Sequence, residues 1–362
     1  MDKKHLSLIN CIHCSGGITA LSPEGVIENG IISCTKCAAQ FPVIRNVPRL
    51  LKGALMVECL AYYSDICNAN PELSAFREKF LLKQGNPSSS HMEKLKVETQ
   101  KNFGYEWHLW KKLPDFAENH FLEVMGKPEE FFRGKCGWDP AVGMGRDLFN
   151  AVKAVGPGGF MLGSDLSFSV DMAYERCKGY PNVLIVQADL YSDMVPEKSL
   201  DFAYMIGVIQ HLTEPGEGVK HVGKRVKSGG LFVGTFYCKP DSFLMHLVVA
   251  TIMGMRVITT RVPLSVALFI SRAFALPSYL FFKLPSFVLN RFAYIRDMEE
   301  LYPTHETQKR RPDLDLLAHN WFDHFTPPII GFYSDDEITE IMRKTGLGPH
   351  ELNKGVVRAV QN

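Results

Sequence analysis

Apolar and polar positions change rhythm several times along this chain of 362 residues. Between residues 54 and 82 apolar side chains recur at helical spacing, with Leu55, Cys59, Leu60 and Tyr63 on one side. The polar run "KQGNPSSSH" that follows reads as a linker. Next, "KNFGYEWHLWKKLPDFAENHFLEVM" predicts an amphipathic helix burying Phe103, Trp107 and Trp110. From residue 135 short apolar runs alternate with amphipathic ones. "KCGWDPAV", "GGFMLGSDLS", "NVLIVQADL", "SLDFAYMIGVI" and "LFVGTFY" predict five strands. "RDLFNAVKAV", "SVDMAYERCKGY" and "EGVKHVGKRVK" predict intervening helices, the last stopped by "SGG". This alternation argues for a doubly wound parallel sheet with helices on both faces. Right-handed crossovers then gather the loops at the carboxyl edge, where such sheets bind ligands.

Polar residues fall at those strand ends in order. Asp139, Gly143, Gly145 and Arg146 follow the first strand, Asp165 and Leu166 the second, and Asp189 and Leu190 the third. Ile206, Gly207 and His211 follow the fourth. The turn "GWDPAVGMGRD" lacks the third glycine of a dinucleotide fingerprint. An acid at the second strand end can accept both ribose hydroxyls of a nucleoside. A ligand without phosphate needs only backbone room for a sulfonium-bearing amino-acid tail, and an acid at the third strand suits an exocyclic amine. A dehydrogenase-like fold is the competing reading.

Four of the nine cysteines, Cys11, Cys14, Cys34 and Cys37, form two C-x-x-C pairs nineteen residues apart, a spacing typical of structural zinc. Four thiolates close a tetrahedral shell and leave no position for water. His13, inside the first knuckle, is a competing ligand, and unmetallated thiols are the bland alternative.

The three loops and the turns after them resemble class I S-adenosylmethionine-dependent methyltransferases of the type 11/25 kind. Their first motif runs D-x-G-x-G-x-G; here it is D-P-A-V-G-M-G, with Ala141 at the first glycine position. "GKRVKSGGLFVGTFY" is similar to a later motif of that family. The resemblance spans residues 103–237 and returns at 334–362, and it implies an α/β Rossmann-like sheet that binds S-adenosylmethionine. Separately, "AAQFPVIRNVPRLL" after the second knuckle resembles a zinc-ribbon module of a tRNA-methyltransferase partner protein. "FGYEW" is similar to an aromatic lead-in of ribbon-bearing relatives, implying that Tyr105 and Trp107 contact the cofactor.

Transfer from a sulfonium is an in-line displacement that depends on positioning, and a protonated acceptor needs a base. His211 is the first candidate. Asp323 and His324, in "HNWFDHFTPP", are held in reserve, because relatives fold a similar Asp-aromatic-Pro segment over the substrate opening.

From Ser242 to Arg296 the chain carries no acid. Its formal charges there are Arg256, Arg261, Arg272, Lys283, Arg291 and Arg296, set among apolar runs. Short helices with an apolar face toward the cofactor mouth and arginines at the rim are expected, since unpaired buried charge is too costly. Residues 243–290 remain open to three roles: a cap over an apolar, lipid-like acceptor, a membrane-surface contact, or a homodimer interface.

A net charge of +1 speaks against nucleic acid as partner, although "KRR" at 309–311 and the ribbon keep an RNA methyltransferase in view. A non-catalytic scaffold is the remaining alternative. The N-terminus lacks an apolar signal region, so a cytoplasmic protein is expected. The reading divides the chain into a ribbon (1–53), a helical linker (54–100), a cofactor-binding core (101–240), a substrate insertion (241–333) and a return to the core (334–362). It describes a methyltransferase acting on oxygen, nitrogen or carbon of a small acceptor.

Overall fold

The computed structural model describes residues 3–20, 26–84, 90–111, 120–283 and 314–362. Arg291, Arg296 and the 309–311 basic run lie outside these residues, as does part of the 243–290 segment.

The N-terminal stretch supplies β1 (Ile18–Ala20), β2 (Gly30–Cys34), β3 (Gln40–Ile44) and β4 (Val47–Leu50), paired antiparallel in sequence. Then come helices α1 (Gly53–Tyr62), α2 (Ser64–Ala69), α3 (Pro71–Gln84), α4 (His91–Leu109) and α5 (His120–Met125). The alternating part follows as β5 (Cys136–Asp139), α6 (Arg146–Val155), β6 (Phe160–Asp165), α7 (Val170–Cys177), β7 (Val183–Ala188), β8 (Leu200–Met205), α8 (Pro215–Gly223) and β9 (Val226–Thr235). Three helices come next: α9 (Phe243–Thr259), α10 (Leu264–Ser278) and α11 (Leu314–Phe325). The chain closes with α12 (Asp335–Thr345), β10 (Leu347–Asn353) and β11 (Val356–Gln361).

One sheet of 11 strands holds these together in the order β1-β2-β3-β4-β7-β6-β5-β8-β9-β11-β10. Strands β4 to β9 within it are mutually parallel, and β11 runs antiparallel to β9. Helices α5, α6 and α7 cover one face through Phe121, Leu148, Val152 and Val170, and α8 and α12 cover the other through Val219, Val222, Ile338 and Met342. The five strands and three helices read from the pattern are all present. The "SGG" turn is placed differently: α8 already ends at Gly223, and residues 228–230 lie inside β9. Beside them the β8–β9 register shifts between Leu200 and Phe202.

The ribbon does not stand apart from the core. Arg49 and Leu50 of β4 pair in parallel with Gln187 and Ala188 of β7, so the ribbon extends the sheet's edge. A buried ion pair fixes the joint. Arg49, fully buried, donates to Gln187 Oε1 at 3.1 Å and to Asp171 Oδ1 at 2.5 Å, while Tyr63 donates to the other Asp171 oxygen at 2.9 Å. The guanidinium also lies 4.5 Å from the centre of the Tyr63 ring.

Candidate active site

The glycine turn sits where β5 hands over to α6. Gly143 and Gly145 have φ of +50° and +84°, in the left-handed region that favours glycine. At Gly145 a Cβ would lie 2.9 Å from the Ala173 Cα, so its absence also lets α6 approach α7. Asp165 reaches across from β6: Oδ2 accepts the Gly143 N–H at 2.9 Å and Oδ1 the Ser167 N–H at 2.7 Å. Burial pushes its pKa up. Each oxygen retains acceptor capacity beyond these bonds. Asp139 is more deeply buried, which drives its pKa well above the ordinary value, and it accepts the Ala141 N–H. Gly207, φ +70°, donates to Thr235 Oγ1 at 2.8 Å, and a side chain there would meet open space.

The other strand-end residues have protein partners of their own. Asp189 already forms an ion pair with Lys96 of α4 at 2.5 Å, and its other oxygen accepts the Tyr191 N–H. Leu190 is buried in the core, and Leu166 and Ile206 are partly buried against their own clusters.

Helix α4 roofs the turn. The Trp107 indole stands 3.4 Å from where a Gly143 Cβ would be, and the Arg146 guanidinium is 5.4 Å from the Trp107 ring centre. The amphipathic expectation for α4 needs correcting here. Phe103 and Trp107 are only half-buried and Trp110 is buried just past the helix end, whereas Gln100 and Gly104 are buried on one side and Asn102 and Glu106 on the other. Helices that bury polar residues are satisfying or building something polar.

That something is a cluster shared with α11. Glu106 Oε1 lies 3.0 Å from His319 Nε2, and both residues are buried. Desolvation lifts the Glu106 pKa to about 7, with Asp323 adding to the rise. The His319 ring is held between Trp107 and Trp110, at 5.3 and 5.1 Å. Asp323, one helical turn on, accepts the Tyr237 hydroxyl at 3.2 Å. Three histidines, His211, His324 and His319, counter its burial and bring its pKa below the ordinary value. Tyr105 packs near Phe322, at 6.0 Å.

His211 faces the same space from the β8 side. Its Nδ1 is 2.9 Å from the Ile329 carbonyl, which can only accept, so Nδ1 carries the proton and Nε2 keeps a lone pair. Burial holds its pKa below the usual histidine value. Phe103 and Tyr237 flank the ring at 5.2 and 6.0 Å. His324 stacks on Tyr237 and donates from Nδ1 to Asn320 O at 2.7 Å. The structure thus brings His211 and Asp323 together through Tyr237, and it adds Glu106 and His319. Both were within the quoted motifs. The available signals were an acid inside an aromatic run and the i, i+4 spacing of His319 and Asp323, which puts them on one helix face.

Arg256 corrects the rim expectation. It is buried, and donates to His324 O at 3.0 Å and Pro327 O at 2.7 Å, bolting α9 onto the end of α11. Carbonyl partners rather than water make its burial tolerable.

In the ribbon the four cysteine Sγ atoms lie within 4.8 Å of one another, and the Cys11–Cys37 and Cys14–Cys34 separations are 3.7 and 3.5 Å. Tetrahedral zinc with ~2.3 Å bonds spaces its sulfurs by about 3.8 Å, so these residues fit the ion. Backbone N–H groups of His13, Lys36 and Cys37 already point at Cys11 and Cys34 sulfurs, as thiolates require. The His13 side chain stacks on Phe41 at 5.7 Å instead.

Residues 139–234, which contain the glycine turn, Asp165, Asp189 and His211, match the family described as methyltransferase domain. Over those residues the chain is similar to a methyltransferase domain. A curated relative, an uncharacterised 37.1 kDa protein in transposon TN4556 of Streptomyces fradiae, is 30% identical over 118 residues. That match covers 32% of this chain and 34% of the relative, so the chain spans about a third of the curated relative's length. Among solved structures, a SAM-dependent methyltransferase of Aquifex aeolicus is 15% identical, covering 70% of this chain and 95% of its own, with a TM-score of 0.39. A second, from Thermotoga maritima, is 17% identical, covering 75% and 100%, with a TM-score of 0.38. The matched region is flanked by two additions, the ribbon with α1–α5 before it and α9–α11 after it, and α4 of the first meets α11 of the second.

Proposed function

We propose that the chain moves the methyl group of S-adenosylmethionine to an oxygen, nitrogen or carbon of a small acceptor with an apolar body. The observation that carries this reading is the convergence at one sheet edge of the Gly143–Gly145 turn, Asp165 and a buried polar cluster roofed by α4 and α11. Asp165 would hold the ribose hydroxyls and the glycine turn would admit the methionine tail. The cofactor supplies an electrophilic methyl group, and the protein's part is alignment and proton removal. His211, neutral and with a free Nε2, suits the base. Tyr237, which donates to Asp323, stands beside the His211 ring, and the half-buried Phe103 and Trp107 add apolar surface next to His211 and the glycine turn, which suits an apolar acceptor body.

Titration calorimetry tests this reading. S-adenosylmethionine should bind the purified chain, and Asp165→Ala should weaken it at least tenfold. Binding of NADH in its place would make the domain a dehydrogenase relative; binding of neither would leave a scaffold.

A further inference from the structure

Helices α9 and α10 each leave an apolar stripe in water. On α9 it runs through Phe243, Leu247, Met253 and Val257, and on α10 through Val266, Phe269 and Leu276, continued by Leu280 in the helical turn Tyr279–Lys283. Their steps of four, six and four residues, and of three, seven and four, keep each set on one side. Phe243 and Phe269 are 87% and 73% exposed. The opposite side of α10 is spoken for: Ala267, Leu268, Ser271 and Ala275 are buried, Ala267, Leu268 and Ala275 in a cluster with Leu317 and Phe322 of α11, and Trp321 donates to Ser278 Oγ at 2.8 Å. Contiguous exposed apolar surface of this kind marks a docking site.

We infer that this face docks on an anionic lipid bilayer, lying along its surface. Charge selects the occupant. Within residues 242–283 there is no acid, while Arg261 and Arg272 stand exposed at the end of α9 and within α10. A second copy joined face to face would set one pair of acid-free helices against another, with Asp241 just before α9 the nearest acid along the chain. Lipid phosphates supply the missing anions, and the acyl boundary takes the phenylalanines and leucines. The window Leu264–Phe281 is long and apolar enough to cross a membrane, but its packing against α11 holds it on the protein, so it lies in the interface. Docked in this way, the helices whose inner sides cap the polar cluster would touch the phase in which apolar acceptors dissolve.

The test uses the full chain and vesicles of phosphatidylcholine with and without 30% phosphatidylglycerol, read by co-sedimentation. Binding to the anionic vesicles is expected, with at least tenfold loss for Phe269→Glu/Leu276→Glu and about fivefold for Arg272→Ala. Both sites are exposed and outside the cofactor loops, so circular dichroism and calorimetric cofactor binding should match wild type; those readouts fail separately if the methyltransferase reading is wrong. No sedimentation with either vesicle overturns the inference. So does a dimer in solution that the double variant converts to monomer, because the occupant is then a second copy.

Discussion

Glu106 and His319 face each other at 3.0 Å inside the roof of the site, one from α4 and one from α11. They join two segments that lie more than 200 residues apart, on opposite flanks of the region similar to methyltransferase domains. A carboxyl taken out of water resists ionisation, and that leaves a signature in stability. Because its folded pKa is raised to about 7 from an ordinary value of 4.5, the native state holds more protons between those pH values. Stability contributed by protonated Glu106 is therefore lost as pH rises from about 4.5 through 7. Glu106→Gln should remove that dependence. The melting temperature of the variant relative to wild type should climb across this window, by the equivalent of about 3 kcal/mol. Parallel curves would mean that Glu106 ionises normally.

His211→Ala should slow methyl transfer by roughly 10² to 10⁴-fold while S-adenosylmethionine affinity changes little. Since burial lowers the His211 pKa, the rate should already be on its plateau at pH 7 and fall only below the usual histidine range. The acceptor needed for this assay can be found by incubating lipid extracts with methyl-labelled cofactor. An unchanged rate would shift attention to Asp323 and His324.

Gly145→Val should destabilise the fold by about 2 kcal/mol or more, through its positive φ and the 2.9 Å approach to Ala173. Thermal melting measures this. A variant as stable as wild type would show that α6 and α7 can separate at no cost.

Elemental analysis should find one zinc per chain, and Cys34→Ser should lower it. Less than about 0.2 zinc per chain after metal-replete expression would leave the ribbon as a plain thiol cluster.

Arg49→Met should cost about 3 kcal/mol, because the buried Asp171 carboxylate loses its buried cation and keeps only Tyr63 and the exposed Arg45. Arg49→Met with Asp171→Asn should recover part of the loss. If the single variant melts like wild type, the joint between ribbon and core is held by the β4–β7 pairing alone.

Much of this molecule was legible in its pattern. Alternating runs gave the parallel strands and their helices, because a buried strand and an amphipathic helix impose different spacings on apolar residues. The order of Asp139, Gly143, Gly145, Asp165 and His211 at strand ends followed, since right-handed crossovers put those ends on one edge. Cysteine spacing likewise anticipated the cluster. What the pattern could not carry was contact between distant segments. Glu106 looked like the polar side of an aromatic helix, and only the arrival of His319 makes it the buried side. Arg256 looked like rim charge until the carbonyls of His324 and Pro327 closed on it. The ribbon read as a separate module because nothing local announces that β4 will hydrogen-bond to β7. Local spacing fixes which face a residue presents; which surface meets that face is decided by the assembled chain, where a buried charge is stable only if a remote partner arrives to satisfy it.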